Sequence, residues 1–496
     1  MENRNSTNFL TLPTLTTLDF ASNNIGDVQI KHLAHVLQQN TTLTTLDFAF
    51  NKIGDVGAKH FADALQHNIK LTNLNLQFNH IGDVGAKHLA HALQYNTVLS
   101  SLDLSHNQIG AVGAQYLAYA LQHNTTLTTL NFSCNGIDLV FGIDLVHGIG
   151  DVGAKHFADA LQHNAVLTSL DLSHNQIGDV GAQYLADALQ HNTVLISLDL
   201  SRNKFEDVGT KHLTHALQHN ATLTTLKFAS NRIKIVHGSN LGHGIGDVGA
   251  KHFADALQHN TVLTTLDLSG NKIGDVGAQY LANALQYNTV LISLDLSRNE
   301  IEDVGTKHLT HALQHNATLT TLNFAHNGIS IVHGIGDVGA KHFADALQHN
   351  TVLISLNLSH NQIGDVGAQY LADALQYNTA LTTLHLRWNK IGHVGAQYLA
   401  NALQYNTVLT SLDLSQNRIG DVGAQYLADA LQHNTVLVRL DLMFNHIGSI
   451  GAQYLADSLL HNTTLTRLDV SENPIGGDAI YLIEELLERN GKGRKP

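Results

Sequence analysis

One asparagine constrains this chain more than any other feature, because it returns sixteen times in the same setting. It stands at positions 23, 51, 79, 107, 135, 175, 203, 231, 271, 299, 327, 361, 389, 417, 445 and 473. The spacing is 28 residues, except for gaps of 40, 40 and 34. Around it runs the pattern L-x-x-L-x-L/F-x-x-N-x-I-G, carried in one copy by Leu43, Leu46, Phe48, Asn51, Ile53 and Gly54. A unit this short cannot bury its own apolar side. A chain built from such units therefore folds as a stack of neighbours.

Each position in the unit implies a physical job. Leu46 and Phe48 alternate with Thr45, Asp47 and Ala49, which predicts a short strand with one buried face. Asn51 follows in a turn, where a column of stacked amides satisfies backbone groups that apolar residues would leave unpaired. Asp55 reads as the N-cap of a helix. Twelve repeats carry aspartate there, and Ala111, His393, Ser449 and Gly477 depart from it. Ala58, Phe61, Ala62 and Leu65 then fall at helical spacing as an apolar stripe. Asn68, repeated from Asn40 to Asn490, reads as a left-handed helix terminator. The expected class is α/β: a solenoid of about 16 repeats of 28 residues, whose motif resembles the leucine-rich repeat and so implies a leucine-rich-repeat solenoid (horseshoe). Its parallel sheet is expected on the concave face and its helices on the convex face.

The unit N-x-I-G-D-x-G-A-x-x-L-A-x-A-L resembles the ribonuclease-inhibitor subclass of leucine-rich repeats. Repeats of this kind form the sensor regions of NOD-like receptors and the body of the Ran GTPase-activating protein. Similar arrays occur in bacterial effectors delivered into host cells. The resemblance implies a non-enzymatic, protein-binding scaffold. It also keeps open a GTPase activator of the Ran-directed type, and a receptor sensor region lacking its nucleotide-binding domain.

The long gaps interrupt one array rather than dividing domains. Residues 1–13 read as a lead-in, 14–490 as a single solenoid and 491–496 as a basic tail. Insertions fall near 136–147, 232–243 and 328–333, between strand and helix, and are expected on one rim. Residues 148–237 and 244–333 differ at only 12 of 90 positions, so a three-repeat block has been duplicated. The last helix, with Glu484, Glu485 and Glu488, is expected to close the end of the stack.

Composition serves mainly to exclude. A formal charge of −14 argues against nucleic acid as the ligand. The single cysteine, Cys134, rules out an intramolecular disulfide and fits a cytoplasmic, reducing setting. No apolar run approaches the ~18 residues of a membrane span, and the N-terminus lacks the apolar core of a secretory signal. No phosphate-binding glycine loop or nucleophile constellation is present, and the array leaves no residues for a separate catalytic region. No catalytic residue, cofactor or small-molecule ligand is expected. His212, His215 and His219, like His308, His311 and His315, lie on helix faces without carboxylate or thiol partners. They are read as solvent-facing, not as metal ligands.

Partner contacts are expected on two columns of the strand face. One is acidic in ten of sixteen repeats and includes Asp171, Asp199, Asp267 and Asp295; the others are Asn75, Asn131, Lys227, Asn323, Asn357 and His385. The second stands just before the repeating asparagine and varies most. It includes Phe50, Phe78, Arg202, Arg298, Trp388 and Phe444, residue types of which binding hot spots are made. Arg387, Arg439, Met443 and Arg467 add to it near the C-terminal end.

Overall fold

The computed structural model describes residues 15–135, 148–231, 244–328 and 334–492. The insertions 136–147 and 232–243 and most of 328–333 lie outside the described residues, as do the lead-in and most of the tail. Sixteen strands of three residues alternate with sixteen helices among the described residues, from Thr17–Asp19 to Gly477–Lys492. They fall into two compact units, Met1–Ile245 and Gly246–Pro496. Each unit is an open solenoid whose eight strands run parallel in sequence order.

Register follows the repeat. Leu46 pairs with Leu74, and Leu74 with Leu102. It also survives the irregular gaps, since Leu130 still faces Leu170 and Leu322 still faces Leu356. Additional residues are therefore absorbed outside the strands, at little entropic cost for a longer connection.

The core lies between sheet and helices. Leu46, Phe48, Ile53, Ala58, Phe61, Ala62 and Leu65 are buried, and their counterparts repeat this along both units. Ala49 departs from the expected alternation, because it is buried too. The strand ends at Asp47, whose carboxylate accepts from Ala49 N at 2.8 Å and turns the chain. The asparagine column behaves as expected. Asn107 donates to the carbonyls of Leu76, Leu104 and Ser105 and accepts from Ile81 N.

The aspartate at the helix start acts differently from the expectation. Asp55 is already helical, and the N-cap is Gly54, with φ −100°. The Asp55 carboxylate accepts instead from Gly82 N and Gly85 N, both at 2.8 Å. These belong to the start of the following helix, Asp83–Leu93. The aspartate thus caps the next repeat, placing a carboxylate against free N–H groups at a positive helix end.

Two exceptions make the rule visible. Behind Ala111 and His393 no carboxylate among the described residues takes this place. The next helices, Gly150–Leu161 and Gly420–Leu431, begin one residue earlier. Gly150 and Gly420 swing to φ +55° and +62° and donate to Asn175 O and Asn445 O. Where Ser449 replaces aspartate, its hydroxyl accepts from Gly476 N at 3.0 Å.

The helix-terminal asparagine also departs from expectation. Asn124 and Asn462 are extended, with φ −74° and −81°, not left-handed. The side chain does the work: Asn96 accepts from Val98 N and Leu99 N and donates to Leu65 O, the end of the preceding helix. Each such helix is therefore secured at one end by the repeat before it and at the other by the repeat after it.

The last helix closes the second unit with Glu484, Glu485 and Glu488 exposed. Arg489 donates to Leu459 O and Asn462 O, and Asn462 O also accepts from Asn490 Nδ2 at 3.0 Å.

Candidate functional site

The residue before each repeating asparagine is left-handed in all sixteen repeats, with φ between 51° and 68°. Only Gly270 adopts this region without penalty. For Phe50, Trp388 or Arg298 it costs on the order of 1 kcal/mol. The cost is met by the turn itself. It aims the next asparagine into the core, while the left-handed residue's own N–H bonds the neighbouring repeat, as Phe50 N does with Gln77 O. Its side chain is directed outward. This column therefore varies because the backbone, not the side chain, holds the turn. Its conformation has no glycine signature that would reveal it in the sequence.

In the first unit the column builds a ring stack. Phe50 and Phe78 lie 4.2 Å apart and nearly parallel, and Phe78 and His106 lie 3.8 Å apart. Phe50 remains 51% exposed. Cys134 comes next, half-buried. Burial, with Asp171 adding to it, pushes its thiol up to about 11, so it stays protonated and is a poor nucleophile at neutral pH. Arg202 lies near enough to oppose that shift.

The second unit holds a second stack. His360 lies on Trp388 at 5.0 Å, and His326 meets His360 edge-on at 5.7 Å. Trp388 is 52% exposed and Phe444 42%. Trp388, Gln416, Asn417, Phe444, His446, Glu472 and Pro474 line an open hollow of about 450 Å³. Arg387 and Met443 are half-buried beside their column neighbours. Arg439 and Arg467 do not line the hollow. They are register partners at the opposite ends of their strands. His360, Gln416, His446 and Glu472 were legible as column members or turn residues but carried no weight without the stacking geometry.

The acidic column is largely occupied with the fold. Asp171, Asp199, Asp267 and Asp295 each accept from the backbone N–H two residues on. The non-acidic members relieve their neighbours. Asn75 donates to Asp47, Asn131 to Asp103 and Asn323 to Asp295. Lys227 pairs with Asp199, and His385 with Asp413. Where aspartates adjoin, the strain shows. Burial, and then Asp199, raises Asp171 above the usual carboxylate range. Burial, with Asp413 and Asp469 adding to it, raises Asp441. Burial pushes Asp413 the same way, yet the hydrogen bonds from His385 and Ser415 outweigh it and hold that carboxyl low.

On the helices, Leu213, Thr214 and Leu217 are buried while His215 and His219 are exposed; His212 is half-buried. Among the described residues no three His, Cys, Asp or Glu side chains are grouped to hold a metal ion. No described helix is long and apolar enough to cross a membrane. The sequence-predicted site residues thus divide between two units and four columns.

The model of the NLRC3 LRR domain matches residues 146–490. The leucine-rich-repeat model matches 11–28, 39–62, 67–90, 95–118 and 123–139. No curated protein is matched. Among solved structures, the chain is similar to an internalin from Listeria monocytogenes str. 4b F2365. The identity is 23%, over 81% of this chain and 87% of that one, with a TM-score of 0.44. It is also similar to TLR13 in a complex with ssRNA13, at 19% identity over 93% of this chain and 62% of that one, with a TM-score of 0.50. At such identities the likeness is one of fold alone. The repeating pattern, the strand–helix alternation it builds and the match over 146–490 together place this chain in the leucine-rich-repeat family, among the NLRC3-type LRR domains.

Proposed function

We propose that this chain is a non-enzymatic scaffold that captures a protein partner on its exposed strand-end columns, with Trp388 and Phe444 as anchors. The observation that carries the reading is the His360–Trp388 stack, whose indole is exposed beside an open hollow. A rigid, half-exposed aromatic held in an unfavourable backbone region supplies contact area with little entropy left to lose. Phe50, Phe78, Arg202, Arg298, Arg387, Met443 and the aspartate column are proposed as secondary contacts; Arg439 and Arg467 belong to a more distant part of the same face. The array 14–490 is proposed to act as one scaffold in a reducing compartment, and the host-directed effector role stands as part of this proposal. Nucleic acid is not the proposed ligand.

The test compares partners retained by the wild-type chain, by Trp388→Ala and by Tyr287→Ala, an exposed aromatic on the helix side. Trp388→Ala is expected to weaken capture by about 2 kcal/mol, while Tyr287→Ala leaves it unchanged. Equal retention by all three would remove the Trp388 face as the site. The NLRC3-type match favours a second reading, the sensor region of a larger receptor. Sequencing the flanking gene tests it.

A further inference from the structure

The acidic column is broken in one place by more than a single residue. Asn323, Asn357 and His385 follow one another, whereas Asn75, Asn131 and Lys227 each stand alone between aspartates. Beside this break the turn column carries Arg298, His326, His360 and Trp388 in four successive repeats. The position two residues beyond the acidic column is alanine or serine in thirteen repeats, but here it is Arg387. Arg387 Nε is buried without a hydrogen-bond partner among the described residues. A buried donor of this kind costs free energy until an acceptor reaches it.

The aspartates that flank this break in the acidic column are committed elsewhere. Asp295 accepts from Ser297 N and from Asn323 at 2.7 Å. Asp413 accepts from Ser415 N and Ser415 Oγ and faces His385. The charged groups that act on His360 are His326, Arg387 and Arg298, with Asp413 the only opposing one. Burial first, and then those cations, hold the imidazole below its ordinary value. Four cationic or protonatable groups therefore fall on four successive repeats that end at one indole, with no ion pair to any of them among the described residues.

We propose that the face formed by Arg298, His326, His360 and Arg387 beside Trp388 receives a short acidic segment of a protein partner, its carboxylates among the cations and an apolar side chain on the indole. The proposal rests on the reading of the Trp388 face as a partner surface, and it names the chemistry recognised there. The patch is short. Asp267 and Asp295 precede it and Asp413, Asp441 and Asp469 follow it, so a long polyanion such as single-stranded RNA is repelled on both sides.

Trp388 is the only tryptophan in the chain, so its emission reports this site alone. A protonated imidazole stacked on the ring quenches it. The full chain is titrated with a peptide bearing Glu-Glu-Phe, with its Gln-Gln-Phe counterpart and with a single-stranded RNA oligonucleotide. The glutamate peptide is expected to give a saturable change, about tenfold tighter than the glutamine peptide. It should also raise the pH at which quenching sets in, because a bound carboxylate favours the charged imidazole. Arg298→Gln, at an exposed position, is expected to weaken the glutamate peptide about tenfold. Arg387→Gln should do the same, with a thermal melt alongside because that side chain is half-buried.

Equal responses to the two peptides, no saturable response at low-millimolar peptide, or tighter binding of the RNA would each overturn the proposal. Partner capture lost in Trp388→Ala but intact in Arg298→Gln would leave the partner surface standing and remove the acidic segment.

Discussion

At the scale of the residue, two polar columns do most of the specifying. Asn107 is buried and meets three carbonyls and one N–H. Asn107→Leu keeps the volume but orphans those groups, and is expected to cost about 2–4 kcal/mol in a urea melt. A loss below the error of the melt would mean that water replaces the amide. Asp441 makes the opposite case. Its folded pKa is raised, so the folded chain holds that proton more tightly than the unfolded one, and stability falls as pH rises through the folded value. Asp441→Asn removes the charge. Its new amide can donate to Asp413, as Asn75 does to Asp47. The variant should be more stable at neutral pH by about 0.5 kcal/mol, with the gain shrinking as pH falls through the raised range of Asp441. Asp413, held low, contributes in the reverse sense: its stabilisation is lost as pH falls through its depressed value. A variant less stable than wild type at neutral pH would show that the column needs the charge.

At the scale of the element, the helix start is decided by the repeat before it. Capped helices accept a side chain at the N-cap, since Glu206 and Glu302 sit there with φ −113° and −110° and donate to Asp179 and Asp275. Gly150 lies behind Ala111 and is left-handed, with open space where a Cβ would stand. Gly150→Ala should therefore cost about 1 kcal/mol through backbone strain alone. In an Ala111→Asp background the carboxylate is expected to draw residue 150 back to negative φ, so that the same substitution becomes nearly neutral. Additive effects in this double-mutant cycle would show that the cap and the glycine conformation are independent.

At the scale of the whole molecule, stability is a sum over neighbouring repeats, and the least covered repeats open first. In the first unit Leu18 and Leu33 are only half-buried, whereas Leu46 and Phe61 are closed off. A small cavity lined by Phe20, Leu33, Leu37 and Phe61 adjoins them. Hydrogen exchange should be faster in the helix Asp27–Leu37 than in Asp83–Leu93. In the second unit the helix Gly477–Lys492 should exchange slowly, because Arg489 ties it to Leu459 O and Asn462 O of the repeat before it. Arg489→Ala is expected to speed exchange there and leave the middle of the unit unchanged. Equal protection from Asp27–Leu37 to Asp83–Leu93 would contradict the nearest-neighbour account.

The sequence by itself determined the repeat, its strand and helix, the buried stripe and the inward asparagine. These follow from spacing and polarity, which are local, and a 28-residue period multiplies each signal sixteen times. It also marked the variable column as the place to look for binding. Only the tertiary structure decided which helix each aspartate caps, because the partner N–H groups lie 27 and 30 residues away. It alone showed that Trp388 and Phe444 lead to one hollow while Arg439 and Arg467 stand apart, and that His360, not another arginine, lies against the indole. The reason is common to all three. In a stack, a side chain's neighbours are those one repeat away, and which of them it meets depends on backbone direction at the turn. The left-handed turn that sets this direction is written in inter-repeat hydrogen bonds, not in any residue type.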